Sequence, residues 1–353
     1  MRMHRDGKGT HGWTEYSQPN PHYNAPMNDA LRSTPQFSDV TAAAARLDGV
    51  ALVTPLIESP ALNERLQARV FLKLELLQRT GSFKFRGAYN RLVQLTPAER
   101  QRGVVAFSSG NHAQGIAAAA RLLGIEATIV MPSDAPRIKL ENTRALGAHV
   151  ILYDRKRDKR EEIAARLAAE KDAVVVPAFD DPHVVAGQGT TGLEIARQSK
   201  ALGVALDAVL VPCSGGGLTS GIALALSHDS PDTRVFAVEP QGFDGARLSL
   251  ERGERLSAAG DGTSIADSLM SPAPGAIPFA ILKATRSGAV AVGDAALIQA
   301  VGYAVRQLKL VVEPGGAAGL AAALSGAFDA KGRTIAIVLS GGNIDPEVLA
   351  RCL

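Results

Sequence analysis

From Ser38 onward, short β-branched or apolar runs alternate with alanine-rich segments of helical period, and this alternation constrains the fold more than any other feature of the chain. The runs are 70–74, 103–107, 127–131, 149–153, 173–176, 208–211, 235–238 and 334–339, separated by segments such as 115–123 and 161–169. A strand that is apolar on both faces belongs in a parallel sheet covered by helices on either side. The chain is therefore predicted to be an α/β protein. Its 353 residues, 46% hydrophobic and 21% charged, suffice for two domains or one large one.

Other features remove whole classes of function. A net charge of +3, with 5% aromatic residues and no basic stripe, argues against a nucleic-acid partner. Cys213 and Cys352 are the only cysteines, too few for a disulfide framework or a thiolate metal site, and neither is expected to be bridged. Arg2, Arg5 and Lys8 are not followed by an apolar signal core, and no segment approaches a membrane span, so a cytoplasmic location is expected. Residues 1–32 mix Gly, His, Asn, Pro and Tyr without a period and read as a mobile arm, with Trp13 as a local anchor. The charge run Asp154 to Glu162 reads as the solvated start of a helix.

Three glycine-bearing turns follow apolar runs: Ser108-Ser109-Gly110-Asn111-His112, Ser214-Gly215-Gly216-Gly217 and Ser340-Gly341-Gly342-Asn343. In open α/β sheets ligands bind beyond such strand ends, where backbone amides and helix N-termini converge. The triple glycine leads into the helical segment 219–226 and can close its amides on a phosphate, or can simply be a flexible turn. It lacks the lysine of a nucleotide P-loop. Ser108 to His112 suits a carboxylate, or an N-cap in which Ser109 or Asn111 satisfies free amides. His112 has no second ligand at metal spacing, and no metal site is expected there. Taken singly, Ser340 to Asn343 is a tight turn.

Lys84 sits between Phe83 and Phe85. An ammonium stripped of hydration by apolar neighbours loses its proton more readily and becomes a usable nucleophile and base. In a strand or extended turn, however, adjacent side chains face opposite ways, and flanking alone favours a surface lysine over a catalytic one. The set is more informative than its members: one amine, one phosphate cradle, one carboxylate cradle and one hydroxyl turn fit a cofactor that carries a phosphate and an aldehyde.

Taken in order, Thr54-Pro55, Lys73-Leu74-Glu75, Gln78 and Thr80 to Ala88, Ser108 to His112, Gly187 to Thr190, Ser214 to Leu218, Glu313-Pro314 and Ser340 to Asn343 make the chain resemble fold-type II pyridoxal-phosphate enzymes of the threonine/serine dehydratase and serine racemase branch, from about Thr54 onward. The resemblance implies a tryptophan synthase β-like fold, with two doubly wound open-sheet domains and the active site between them. It implies a large domain of 33–101 plus 182–353 and a small domain of 102–181 that closes the cleft, in a homodimer or homotetramer. It also implies that Lys84 forms the internal aldimine with pyridoxal 5'-phosphate, that Phe83 packs on the pyridine ring, that Asn111 bonds the 3'-oxygen, that Gly215, Gly216, Gly217 and Leu218 hold the phosphate, and that Ser340 faces the ring nitrogen. Ser108, Ser109, Asn111 and His112 would hold the substrate carboxylate, and the freed Lys84 would take the α-proton.

The implied reaction is dehydration and deamination of L-threonine or L-serine to a 2-oxo acid and ammonia. Its rivals are serine racemase activity, with Ser109 as the proton donor on the far face, 3-hydroxyaspartate dehydration, and a non-catalytic amino-acid-binding protein that kept the cradle. Two positions depart from the pattern. Ser268 stands where many relatives have glycine, and Gly245 stands where metal-binding relatives place an aspartate six residues after the glutamate at Glu239.

Overall fold

The computed structural model describes residues 34–260 and 262–353, so the arm predicted for 1–32 lies outside the described residues. All eight predicted runs form strands, arranged in two sheets. The larger has the order β1 (Leu56–Glu58), β2 (Arg69–Lys73), β10 (Thr334–Val338), β7 (Ala208–Pro212), β8 (Arg234–Pro240) and β9 (Gly288–Val292). It is parallel except for the antiparallel edge pair β1 and β2. The smaller is parallel throughout, with the order β5 (His149–Tyr153), β4 (Ala127–Pro132), β3 (Val104–Phe107) and β6 (Val174–Val175).

The two strands missing from the sequence reading are both edges. β1 is three residues long, too short to show a period, and β9 is the half-buried run Gly-Ala-Val-Ala-Val, which lacks bulky side chains.

Alternate residues of the larger sheet feed two cores. Val70, Leu72, Leu210, Ile335 and Ile337 pack with Leu297, Val301 and Leu320 on one face. Phe71, Val209, Val211, Ala336 and Val338 pack with Ile195, Ile222 and Leu282 on the other. A large side chain of this kind contributes roughly 1.5–3 kcal/mol when fully buried. That two-sided burial is why these strands read as continuous apolar runs.

Strand order locates the site. In the larger sheet the winding reverses between β7 and β10, and in the smaller between β3 and β6. At such switch points neighbouring loops leave in opposite directions and a crevice opens beyond the carboxyl ends. The turns after β3, β7 and β10 are the three glycine-bearing turns of the sequence.

The helix Lys84–Leu92 lies between the sheets. Its Phe85, Ala88 and Leu92 join Val104, Ala106 and Ile129 in the core of the smaller sheet. Against the helix Pro182–Ala201 it packs at a pair of glycines, since a Cβ on Gly187 would stand 2.7 Å from the Cα of Gly87. Beside that crossing, Arg86 is buried and bonds Glu75 at 2.8 Å and Glu194 at 2.6 Å, while Lys73 bonds Glu194 at 2.6 Å and the Thr54 carbonyl at 2.7 Å. Two cations and two carboxylates thus tie β2 to both helices.

Candidate active site

The two phenylalanines flanking Lys84 diverge. Phe85 enters the core of the smaller sheet, and Phe83 packs against the core of the larger one. Lys84 is left between them, facing the cleft. It opens the helix Lys84–Leu92, so the strand or extended turn considered for this segment is replaced by a helix start. The Phe83 amide donates to the Ser340 carbonyl at 3.1 Å, and Ser82 bridges Gly341, which fixes the helix start against the turn after β10. Lys84 Nζ donates to the Ala178 carbonyl at 2.9 Å and lies 5.0 Å from the centre of the Phe83 ring. Burial holds its amine at about 8, well below the usual lysine value.

Around it opens a cleft of about 670 Å³ lined by Phe83, Lys84, Ser108, Ser109, Asn111, His112, Gly215, Gly216, Gly217, Leu218 and Ser340. Every catalytic, cofactor or substrate residue expected from the sequence therefore borders one space. Loops from both sheets converge there because both switch points open on it.

The Ser108 to His112 turn resolves one alternative. The helix Asn111–Leu123 has Gly110 as its N-cap and no side-chain cap, so neither Ser109 nor Asn111 caps it. Its first amides keep the unsatisfied donors and partial positive charge of a helix start, as binding a carboxylate requires. His112 Nε2 lies 3.0 Å from the Val176 carbonyl, which can only accept, so this nitrogen carries the proton. Burial, and then the charge of Lys84, lower its pKa to about 3, and the ring is neutral. Its side chain is tied into the wall of the cleft.

Gly216 has φ +90°, which favours glycine, and the helix Gly217–Asp229 follows directly. A Cβ on Gly215 would stand 2.3 Å from the Phe179 ring, and one on Gly217 would stand 3.0 Å from the Phe179 Cα. The glycines thus admit the crossover that follows β6 as well as leaving the amides of 216–218 bare at a helix N-terminus. A bare amide nest on a positive helix end fits a phosphate, and a buried amine in the same cleft fits an aldehyde. The side chains present suit pyridoxal phosphate.

The sequence reading missed several lining residues. Asn111 donates through Nδ2 to Glu313 Oε1 and accepts from Asn343 Nδ2 at 2.8 Å. Glu313 in turn meets Lys139 at 2.9 Å, and Lys139 also meets Asp267 at 2.9 Å. Glu313-Pro314 is visible as a motif, but nothing in the run around Lys139 marks it as different from a surface lysine. The charge run 154–162 is largely exposed and leads into the helix Arg160–Lys171, as expected, but it also reaches the cleft. Arg155, Asp158, Arg160 and Glu161 line the cleft as well as meeting solvent, with Arg155 on Asp134 at 2.6 Å and the Arg160 guanidinium 5.5 Å from the Phe107 ring centre.

At Glu239, burial raises the carboxyl to about 8, and its oxygens accept from the amides of Ala246 and Arg247 at 2.9 and 2.8 Å. The Arg247 guanidinium pairs with Asp244. Ser268 lines the cleft and faces Gly315. Cys213 and Cys352 are both free and buried. Among the described residues no helix is long and apolar enough to cross a membrane.

Residues 48–341 match the family model described as pyridoxal-phosphate dependent enzyme. The chain is 43% identical to an L-threo-3-hydroxyaspartate ammonia-lyase of a Pseudomonas species, over 90% of this chain and 98% of that one. It is also 43% identical to an L-threonine ammonia-lyase of Thermotoga maritima, over 90% of this chain and 78% of that one. The crystal structure of maize serine racemase superimposes with a TM-score of 0.85 at 35% identity, covering 90% of this chain and 96% of that one.

Proposed function

Because this chain belongs to the family of pyridoxal-phosphate dependent enzymes of fold-type II, we propose that it is an ammonia-lyase converting L-threonine or L-serine to 2-oxobutanoate or pyruvate. The observation that carries this reading is Lys84, a buried amine at about 8, facing the same cleft as a bare glycine nest and an uncapped helix start.

Phe83, Lys84, Asn111, Gly215, Gly216, Gly217, Leu218 and Ser340 would hold the cofactor. When bound, it supplies an electron sink for the substrate α-carbon. Ser340 presents a neutral hydroxyl, so the ring nitrogen gains no anionic partner from it. Ser108, Ser109, Asn111 and His112 bind the substrate carboxylate through hydroxyls and helix-start amides. Lys84 Nζ would take the α-proton, and burial, which lowers its amine below the usual lysine value, suits it to act as a base. Loss of the β-hydroxyl as water, which takes up one proton, and hydrolysis of the dehydrated product would give the 2-oxo acid and ammonia.

A second reading, 3-hydroxyaspartate as substrate, is favoured by Arg155 and Arg160 at the cleft, which would meet a side-chain carboxylate by exchanging their partners Asp134 and Glu161. Amino-acid racemisation rests on Ser109 alone. Incubation with L-threonine, L-serine and L-threo-3-hydroxyaspartate, followed by 2-oxo acid release and D-serine formation, tests all three. D-Serine in excess over pyruvate overturns the lyase reading.

The residues 33–101 with 182–353, and 102–181, are proposed to move as two domains about the cleft. A cytoplasmic homodimer or homotetramer is proposed as well. The oligomer is supported by exposed Leu52, Val53, Ile57 and Leu77 on and beside the edge strand β1, and light scattering on the purified protein tests it.

A further inference from the structure

Lys139 is 1% exposed, yet it sits on the helix Arg137–Ala145 of the smaller sheet, whose other faces are largely solvated. Its side chain leaves that helix and crosses to the larger-sheet side of the cleft. The stem passes so close to Gly110 that a Cβ there would stand 2.4 Å from Lys139 Cδ. The ammonium ends between Asp267, at 2.9 and 3.1 Å from the two oxygens, and Glu313, at 2.9 Å. Glu313 is itself buried, and its other oxygen accepts from Asn111. A Cβ on Gly341 would stand 2.3 Å from Glu313 Oε1, so the carboxylate has no room on that side. Two glycines, one in each of two cleft-lining turns, thus make space for this one ion pair. Neither Gly110 nor Gly341 has a positive φ, so close approach rather than turn geometry is what excludes a side chain at both.

One cation shared by two carboxylates is a costly arrangement to bury unless geometry and hydrogen bonds are good. Burial alone would push the Lys139 ammonium down, but Glu313 and Asp267 outweigh it and hold it charged. Glu313 is raised by burial, because Lys139 is shared with Asp267 and offsets only part of its desolvation. Removing Lys139 would leave Glu313 facing Asp267 with no cation, and the Glu313 carboxylate would then take a proton or leave its place beside Asn111.

We propose that Lys139 is a positioning residue: by bridging Asp267 and Glu313 it pins the smaller-sheet side of the cleft to the larger and holds Glu313 where it fixes the Asn111 side chain. The part that concerns catalysis rests on the assignment of Asn111 to the cofactor. The bridge itself does not.

The test compares wild type, Lys139→Met and the charge-balanced pair Lys139→Met with Glu313→Gln. Turnover of the preferred hydroxy amino acid is measured in the loaded enzyme, and amide hydrogen exchange over 137–145 and 267–269 is measured in the cofactor-free protein. Misplacing a group that orients reacting atoms costs kcat, so Lys139→Met is expected to lower kcat roughly 10- to 100-fold with KM moved less than about threefold. Faster exchange in both segments is expected without cofactor. The double variant, which leaves no unpaired buried charge at 313, is expected to regain at least about tenfold of the lost kcat. A role confined to stability would lower the melting temperature and leave kcat and the rescue unmoved, and that result overturns the proposal. Unchanged exchange in Lys139→Met overturns the bridge. If Lys139→Met does not fold, Lys139→Gln, neutral but still a donor, takes its place with the same expectations. Failure of the wild type to take up pyridoxal phosphate would instead overturn the cofactor reading, and the exchange comparison would still decide the bridge.

Discussion

A Cβ on Gly115 would stand 3.1 Å from the carbonyl carbon of Lys84. The helix Asn111–Leu123 therefore seats its glycine directly against the backbone that carries the proposed anchor, and the two halves of the site share one contact. Gly115→Ala requires a shift of a few tenths of an ångström, and Gly115→Val adds branches with no space for them. Turnover is expected to fall slightly in the first variant and by about 100-fold in the second. Steady-state rates, read beside cofactor affinity, check this.

Loss of the Lys84 amine removes both anchor and base, so Lys84→Met is expected to show no turnover. Its effect on the cofactor-free protein has a definite sign. The folded-state value of about 8 lies below that of an unfolded lysine, so from about pH 8 to 10 the unfolded chain binds the extra proton. Stability carried by this group therefore rises with pH across that window and is lowest below it. Near neutrality Lys84→Met is expected to stabilise the cofactor-free protein by on the order of 1–3 kcal/mol, with the advantage vanishing above about pH 10. Urea unfolding at three pH values measures it.

Arg86 and Glu75 make a different kind of prediction. Both are buried, and removing one partner leaves an uncompensated charge, so Glu75→Ala is expected to cost about 3–5 kcal/mol with or without cofactor. Burial alone would raise the Glu75 carboxyl, but Arg86 pulls it below the usual range. Its contribution is thus present above the unfolded carboxylate value and is lost only as pH falls through the lower folded one. Acid unfolding of wild type against Glu75→Gln shows this as a lower midpoint for wild type.

Ser268 and Gly315 form a coupled pair. A Cβ at 315 would stand 2.1 Å from Ser268 Oγ, so Gly315→Ala is expected to cost about 1–3 kcal/mol. Ser268→Gly in the same chain is expected to recover most of it. A double-mutant cycle on thermal stability reads the coupling, and additive effects would show that the two positions do not meet.

Ser109→Ala is expected to lose any D-serine formation while still releasing 2-oxo acid from L-serine with a raised KM, since the hydroxyl would serve the face opposite Lys84 as well as the substrate carboxylate. Chiral separation of the remaining serine against pyruvate release checks this. D-Serine at the wild-type rate would remove Ser109 from that role.

Much of this was legible in the chain because it follows from local pattern. Eight of the ten strands among the described residues announce themselves as apolar runs, which two-sided burial explains for the central ones, whereas β5 and β6 are apolar although they lie at an edge, and β1 and β9 are too short or too small in side chain to show a pattern. The glycine-bearing turns are visible for a similar reason, since their chemistry depends on residue type and on position after a strand, whereas Lys84 stood out only in the company of those turns. Even the ordered motifs mix chemistry with scaffold, for Arg86 and Glu75 belong to a buried ion cluster and Gly87 to a helix crossing.

By itself the sequence determined eight of the strands, the turns at the carboxyl ends of three of them and the kinds of group those turns carry. The tertiary structure alone decided that Phe83 and Phe85 enter different cores and leave Lys84 between them, that His112 is neutral, and that Lys139 meets Glu313 inside the cleft. Burial and charge pairing are set by neighbours distant along the chain. A lysine on a polar helix and a glutamate before a proline carry no mark of each other until the two sheets are brought face to face.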